Sequence, residues 1–154
     1  MAAKLLKEFL DRRGVKYISI QHSPAFTAQE IAELSHVSGR DFAKTVIVKI
    51  DGALAMVVLP ATRRLVMLDL CELLEKPHVR LATEDEFRSA FPDCELGAMP
   101  PFGYLYGMTT YVAGSLTEEQ EIAFNAGTHR EVIKMRFEDF AALVKPVLLD
   151  FVTT

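Results

Sequence analysis

The stretch FAKTVIVKIDGALAMVVLP, residues 42–60, decides the fold. Two β-rich arms flank Asp51-Gly52, a dipeptide that favours a two-residue hairpin because both turn positions need φ > 0. In the first arm Phe42, Lys44, Val46, Val48 and Ile50 alternate with Ala43, Thr45, Ile47 and Lys49. Both sets are mostly apolar, so the spacing predicts a central strand covered on both faces. Lys44 is the exception, because it shares a face with four apolar residues. An ammonium there is costly unless it meets an anion, loses its proton, or reaches water at the rim of the sheet along its own stem.

Working outward, Leu5, Leu6, Phe9 and Leu10 recur at helical spacing before Gly14, and VKYISI (15–20) reads as a short strand. Thr27-Ala28-Gln29-Glu30 is a capping box that opens a helix to about Ser35, and Thr83-Glu84-Asp85-Glu86 is a second, opening a helix that ends before Pro92. Between them a short strand precedes a helix at about 70–76, and VRLA is extended. Later segments alternate between strands (YLYGMTTYVAG, EIAFNAG, EVIKMR) and a closing helix, FEDFAALVKPVL. Hairpins outnumber βαβ units, which predicts a single α+β domain over residues 1–154 around a largely antiparallel sheet.

Composition narrows the function classes. Half of the 154 residues are apolar and 25% charged, as in globular domains. The longest unbroken apolar run, Ala53–Leu59, is far short of the roughly 20 residues that span a bilayer. The basic, amphipathic amino terminus lacks the apolar block of a secretory signal, so a cytosolic protein without a membrane partner is expected. Cys71 and Cys94 stand apart from each other and from the four histidines, which predicts two free thiols and no metal site. The net charge of −4 does not advertise a polyanion partner. Basic groups at Lys4–Lys16, Arg63–Arg64 and Arg130–Arg136 are ordinarily a solvated face.

No phosphate-binding loop, dinucleotide fingerprint, metalloprotease helix or nucleophile elbow is present. Two stretches join Lys44 as candidates. In GAMPPFG (97–103), Gly97 and Gly103 permit close backbone approach while Pro100-Pro101 stiffens the middle. Such a loop presents the amides of Gly97, Ala98, Met99, Phe102 and Gly103 to a carbonyl oxygen or oxyanion; it also suits a stiff connection packed on the core. In FNAGTHRE (124–131) a hairpin turn accounts for Asn125 and Gly127 but leaves His129 unexplained.

Together these stretches resemble the YbaK-like aminoacyl-tRNA deacylases, free-standing relatives of the editing insertion domain of bacterial prolyl-tRNA synthetase. The resemblance runs through HSPAFTAQEIA, FAKTVIVK with DG and VVLPA, LDL, GAMPPFG, FNAGTHREVIKM and DFAALVKP, in that order. It implies a compact α+β domain with a curved, barrel-like antiparallel sheet, and hydrolysis of the ester joining a wrong amino acid to tRNA, without metal or other cofactor. Lys44 matches the strand lysine that holds the terminal adenosine. Gly97, Ala98 and Met99 match the loop whose backbone polarises the carbonyl, and a small amino acid is implied. The matching stretches put His22, Thr45, Pro100, Pro101, Phe102, Gly103, Asn125, Gly127 and His129 beside the substrate, with neither histidine assigned as a base. Thr45 stands where some members carry asparagine, so their side-chain specificity does not transfer. The implied partners are the acceptor end of an aminoacyl-tRNA and a synthetase that delivers it. A non-catalytic tRNA- or synthetase-binding module and a small-molecule ester hydrolase remain as other readings.

Overall fold

The computed structural model describes residues 4–25 and 27–150. In chain order these form α1 (Lys4–Arg12), β1 (Tyr17–Gln21), α2 (Ala28–Leu34), β2 (Ala43–Ile50), β3 (Ala53–Pro60), α3 (Met67–Leu74), β4 (Val79–Leu81), α4 (Glu84–Phe87), β5 (Thr109–Ala113), β6 (Glu121–Asn125), β7 (Glu131–Arg136), α5 (Phe137–Val144) and β8 (Val147–Leu149). Phe26, inside the first motif of the resemblance, lies outside the described residues.

The Asp51-Gly52 turn takes φ of +49° and +85°, as a two-residue hairpin requires, and pairs β2 with β3 along their full length. The expected α+β fold is present, divided between two sheets. One has the order β1-β7-β6 and is wholly antiparallel; the other has the order β4-β2-β3-β5-β8, with β3–β5 and β5–β8 parallel. The sheets meet at a single parallel bridge between Phe42 and Ala123, where the Ala123 amide donates to the Asp41 carbonyl at 2.9 Å. The outer edge of β2 therefore touches β6 only at its start, and β4 takes that edge only from Val48 onward. The surface is curved but does not close into a barrel, and a wedge opens along β2 between the two contacts.

β2 is covered on both faces, as its sequence predicts. Ala43 packs in the cluster of Phe102 and Phe124, and Ile47 in that of Met56, Phe91 and Met99. On the opposite face Phe42 joins Ile31, Ala61 and Ala123 beneath α2, while Val48 and Val46 join Val57, Leu59 and Leu70 beneath α3. Both capping boxes form, each threonine hydroxyl accepting from the glutamate amide three residues on.

Three local readings change. The helix expected near 70–76 runs from Met67 to Leu74 with no strand before it, because Met67, Leu70, Cys71 and Leu74 share one helical face on the Val57–Leu59 cluster. The stretch YLYGMTTYVAG begins in a 3₁₀ turn (Gly103–Tyr106) and is strand only over Thr109–Ala113. The three-residue β8 is too short to carry a signal of its own.

α1 is fastened to the first sheet by a buried carboxylate. Glu131 is 3% exposed, ion-paired to Lys7 at 2.6 Å and hydrogen-bonded by the Ser19 hydroxyl. Burial pushes this carboxyl up, but the hydrogen bonds and charge of Lys7, with Ser19 and Gln21, outweigh that and hold it below the ordinary glutamate value. A depressed native pKa adds stability above the unfolded-state pKa, near 4.3, that is lost as pH falls through the lower native value. Glu131→Gln should therefore lose about 1–3 kcal/mol at neutral pH. In urea melts from pH 7 to pH 3, the gap between the two proteins should narrow on the acid side.

Candidate active site

The glycine-proline loop packs on the Ala43–Ile47 face of β2, through Phe102 and Met99. Its base is tied: the Tyr106 hydroxyl donates to Asp93 Oδ1 at 3.1 Å, and the Tyr106 and Phe91 rings lie 4.5 Å apart. Phe102, fully buried, anchors the middle in the aromatic core, 5.4 Å from both Phe124 and Phe140. Pro100 and Pro101 are buried beside it. Gly103 is required by space: a Cβ would lie 2.4 Å from the Met108 carbonyl oxygen and 2.4 Å from Thr110 Oγ1. The resemblance puts Phe102 beside the substrate; in the structure its ring is fully buried and fills the aromatic core.

The turn after β6 grips the front of the loop. Glu95 N–H donates to the Gly127 carbonyl at 2.7 Å, and Gly127 N–H donates to the Ala98 carbonyl at 3.0 Å. Gly127 has a φ of +89°, which a side-chain-bearing residue rarely adopts. His129 adds two clamps: its amide donates to Glu95 Oε1 at 2.7 Å, and its Nε2 lies 2.9 Å from the Leu96 carbonyl oxygen. A carbonyl only accepts, so Nε2 carries the proton, and this ring is a strut for the loop. His22 belongs to the same assembly. Its amide donates to the Arg130 carbonyl at 2.8 Å, and its Nδ1 donates to the Ser23 carbonyl at 2.7 Å, which leaves Nε2 as an acceptor. Glu95, which joins the loop to the turn through both backbone and carboxylate, was not singled out by sequence; nothing in Cys-Glu-Leu marks it.

These clamps decide which loop amides can reach a substrate. Ala98 donates to the Glu95 carbonyl, Phe102 to the Pro100 carbonyl and Gly103 to Thr110 Oγ1. The Gly97 amide meets only the Met99 thioether sulfur at 3.2 Å, a weak acceptor, and the Met99 amide has no partner among the described residues. The five amides offered by sequence thus narrow to Gly97 and Met99. Gly97 is exposed and left-handed, φ +86°, so its backbone stands open to an approaching group.

Lys44 and Thr45 lie where β2 leaves β6, and alternation sends them to opposite faces. Thr45 lies between Ala43 and Ile47, on the loop's side, and its buried hydroxyl has no partner among the described residues. Lys44 lies between Phe42 and Val46, in the gap between the α2 and α3 clusters, and is half-buried. It makes no ion pair among the described residues. Burial, then the charge of Arg64, hold its ammonium below the ordinary lysine range. Lys44 and Asn125 each lie two residues beyond the isolated Phe42–Ala123 bridge, on the faces that Phe42 and Ala123 share. Asn125 is 8% exposed and its Oδ1 is unpartnered among the described residues.

The described residues therefore offer two backbone donors on the loop, on one side of β2, and a half-buried cation on its other face. The site holds no activated nucleophile: the Cys94 thiol, just before the loop, is pushed up to about 12 by burial. Cys71 is likewise a free thiol. Among the described residues no three His, Cys, Asp or Glu side chains cluster as metal ligands, and no helix is long and apolar enough to cross a membrane. A cleft of about 530 Å³ lined by Glu118, Glu119, Glu121 and Glu138 includes none of these site residues.

Comparison with solved structures agrees with this architecture. A hypothetical protein, APE2540, superposes with a TM-score of 0.84 at 24% identity over 96% of this chain and 99% of its own. A candidate trans-editing enzyme for prolyl tRNA synthetase superposes with a TM-score of 0.82 at 22% identity, covering 97% of this chain and 95% of its own. A candidate signal transduction protein from Marinobacter aquaeolei VT8 gives 0.76 at 18% identity, with 96% of this chain matching 30% of that one. No curated protein matches the sequence. The family model of the aminoacyl-tRNA editing domain matches residues 22–143, which contain the β2 lysine, the glycine-proline loop and the turn after β6, and the chain belongs to that family.

Proposed function

We propose that the protein is an aminoacyl-tRNA deacylase that acts in the cytoplasm, cleaving the ester between a small amino acid and the terminal ribose of a mischarged tRNA, on tRNA(Pro) or a related tRNA, delivered by its synthetase. What supports this reading is a set of uncommitted groups in the stretches that carry the family motif: the Met99 amide without a partner and the Gly97 amide with only a thioether among the described residues, and Lys44 half-buried without an ion pair. Backbone N–H groups of this kind bind the oxygen of an ester carbonyl, and bind it more strongly as charge develops on attack. Lys44 holds the terminal nucleotide so that the carbonyl meets those donors. The attacking oxygen is that of a water, which gives up a proton as its bond to the carbonyl carbon forms; the neighbouring ribose hydroxyl can orient that water by hydrogen bonding. After collapse of the tetrahedral intermediate, the departing ribose oxygen takes a proton. The buried Ala43 of β2 and Ala98 of the loop favour a small side chain on the substrate.

The net charge of −4 favours a second reading, hydrolysis of small aminoacyl esters without RNA. Salt separates the two, since phosphate contacts make tRNA turnover fall steeply as salt rises while small-ester turnover stays flat.

The decisive experiment is a deacylation panel: tRNA(Pro) charged with alanine, cysteine or serine, and correctly charged alanyl-, seryl- and threonyl-tRNA. One or two of these should be hydrolysed rapidly by the wild type and about 100-fold more slowly by Lys44→Ala, with melting temperature unchanged. Equal rates in that variant would overturn the role of Lys44, and silence across the panel would move the protein to a binding module. Activity, corrected for uncatalysed hydrolysis, should fall on the alkaline side below the ordinary lysine value near 10.4, because the required ammonium deprotonates early; Lys44→Arg should lack that limb. Gly97→Ala should strain the left-handed backbone by about 1–2 kcal/mol and lower kcat by 10-fold or more if this amide is a carbonyl donor. A wild-type kcat there would make the loop a packed connection.

A further inference from the structure

We infer that Asn125 is a substrate-positioning residue whose side-chain amide binds the ribose hydroxyl next to the scissile ester, across the β2–β6 seam from Lys44. This rests on the deacylase reading of the same site.

The parallel bridge fixes the placement. Phe42 and Ala123 pair and share the cluster beneath α2, so the next residues facing the same way on these strands are Lys44 and Asn125. On the other side of β6, Asn125 pairs with Val132, which belongs to that same cluster. Asn125 is thus carried by a strand paired along its length with β7, at the point where its other edge loses β2.

An asparagine in this position needs a reason. It is 8% exposed, and its Oδ1 meets no donor among the described residues. Burying an amide oxygen without a hydrogen bond is unfavourable, and a hydrophobic residue of similar size would remove the cost. The arrangement makes sense if a bound group completes the bond.

The chemistry of the neighbours selects that group. An aminoacyl-adenosine end offers three kinds of donor: the amino acid's ammonium, the adenine amine and a ribose hydroxyl. Lys44, two residues beyond the same bridge and on the same face, repels a second cation, which disfavours the ammonium. The adenine amine lies across the nucleoside from the ester that the Gly97 and Met99 amides would hold. A ribose hydroxyl is neutral, adjacent to the ester, and both donates and accepts, so it matches either end of the side-chain amide.

A cycle between protein and substrate tests this. Wild type and Asn125→Ala would be assayed on aminoacyl-tRNA ending in adenosine, in 2′-deoxyadenosine and in 3′-deoxyadenosine. On the ribose end the variant should lose about 10- to 100-fold in kcat/KM. On the deoxy ends wild type should already be slow, and the substitution should change the rate less than 2-fold. An equal loss on ribose and deoxy ends would overturn the proposal, as would no loss on any. Binding of a non-hydrolysable amide-linked aminoacyl-adenosine, with and without its free hydroxyl, provides a readout apart from turnover. If wild type hydrolyses none of the esters but binds the hydroxyl form more tightly, and only with Asn125 present, the deacylase reading fails and the hydroxyl subsite stands. If it hydrolyses them with no such discrimination, the subsite fails alone.

Discussion

The architecture turns on one contact, the single bridge between Phe42 and Ala123. Had β2 and β6 zipped along their length, the two sheets would merge and every edge group of β2 would be occupied. Had they not met, the turn after β6 would have no fixed relation to Lys44. One bridge joins the sheets and then lets them part, leaving Lys44 and Asn125, each two residues beyond it, out of the pairing between the two strands. The other devices serve to keep that gap in shape: the Glu131 fastening of α1, the aromatic plug of Phe102, and the reciprocal hydrogen bonds of Gly127.

The loop shows how stiffness and chemical readiness are reconciled. Free amides are unfavourable when buried, and a flexible loop would turn them toward any nearby carbonyl. Here Ala98, Phe102 and Gly103 spend their amides on internal bonds, and the two prolines have none to offer. What is left over is held still by Tyr106, Thr110, Gly127 and His129. Preorganised donors of this kind need no rearrangement as charge develops on the substrate.

Much of this was legible in the sequence because the signals were local. Asp51-Gly52 announces a φ-restricted turn, the Thr-x-x-Glu boxes announce helix starts, and the alternation of β2 announces two covered faces. Lys44 was conspicuous because it breaks an apolar pattern. Non-local features were not legible. Nothing in TTYVA or VLL says that these strands run parallel to β3 and to each other, since that follows from where α3 and α5 return the chain. Which loop amides stay free depends on partners such as Thr110, and Glu95 acquires its role only through Gly127 and His129, more than thirty residues away. The role of Phe102 changed for the same reason, because its neighbours are distant aromatic rings.

That the groups proposed to bind the carbonyl belong to the backbone bears on how such a protein diverges. A catalytic serine or histidine is lost with one codon, whereas the amide of Met99 survives any replacement of its side chain except proline. The chemistry is therefore written in chain path, in two glycines, two prolines and the contacts that hold them, while the side chains around the gap stay available for change. Lineages built on this scaffold can drift far in sequence and exchange one amino acid for another at the site without rebuilding the means of breaking the bond.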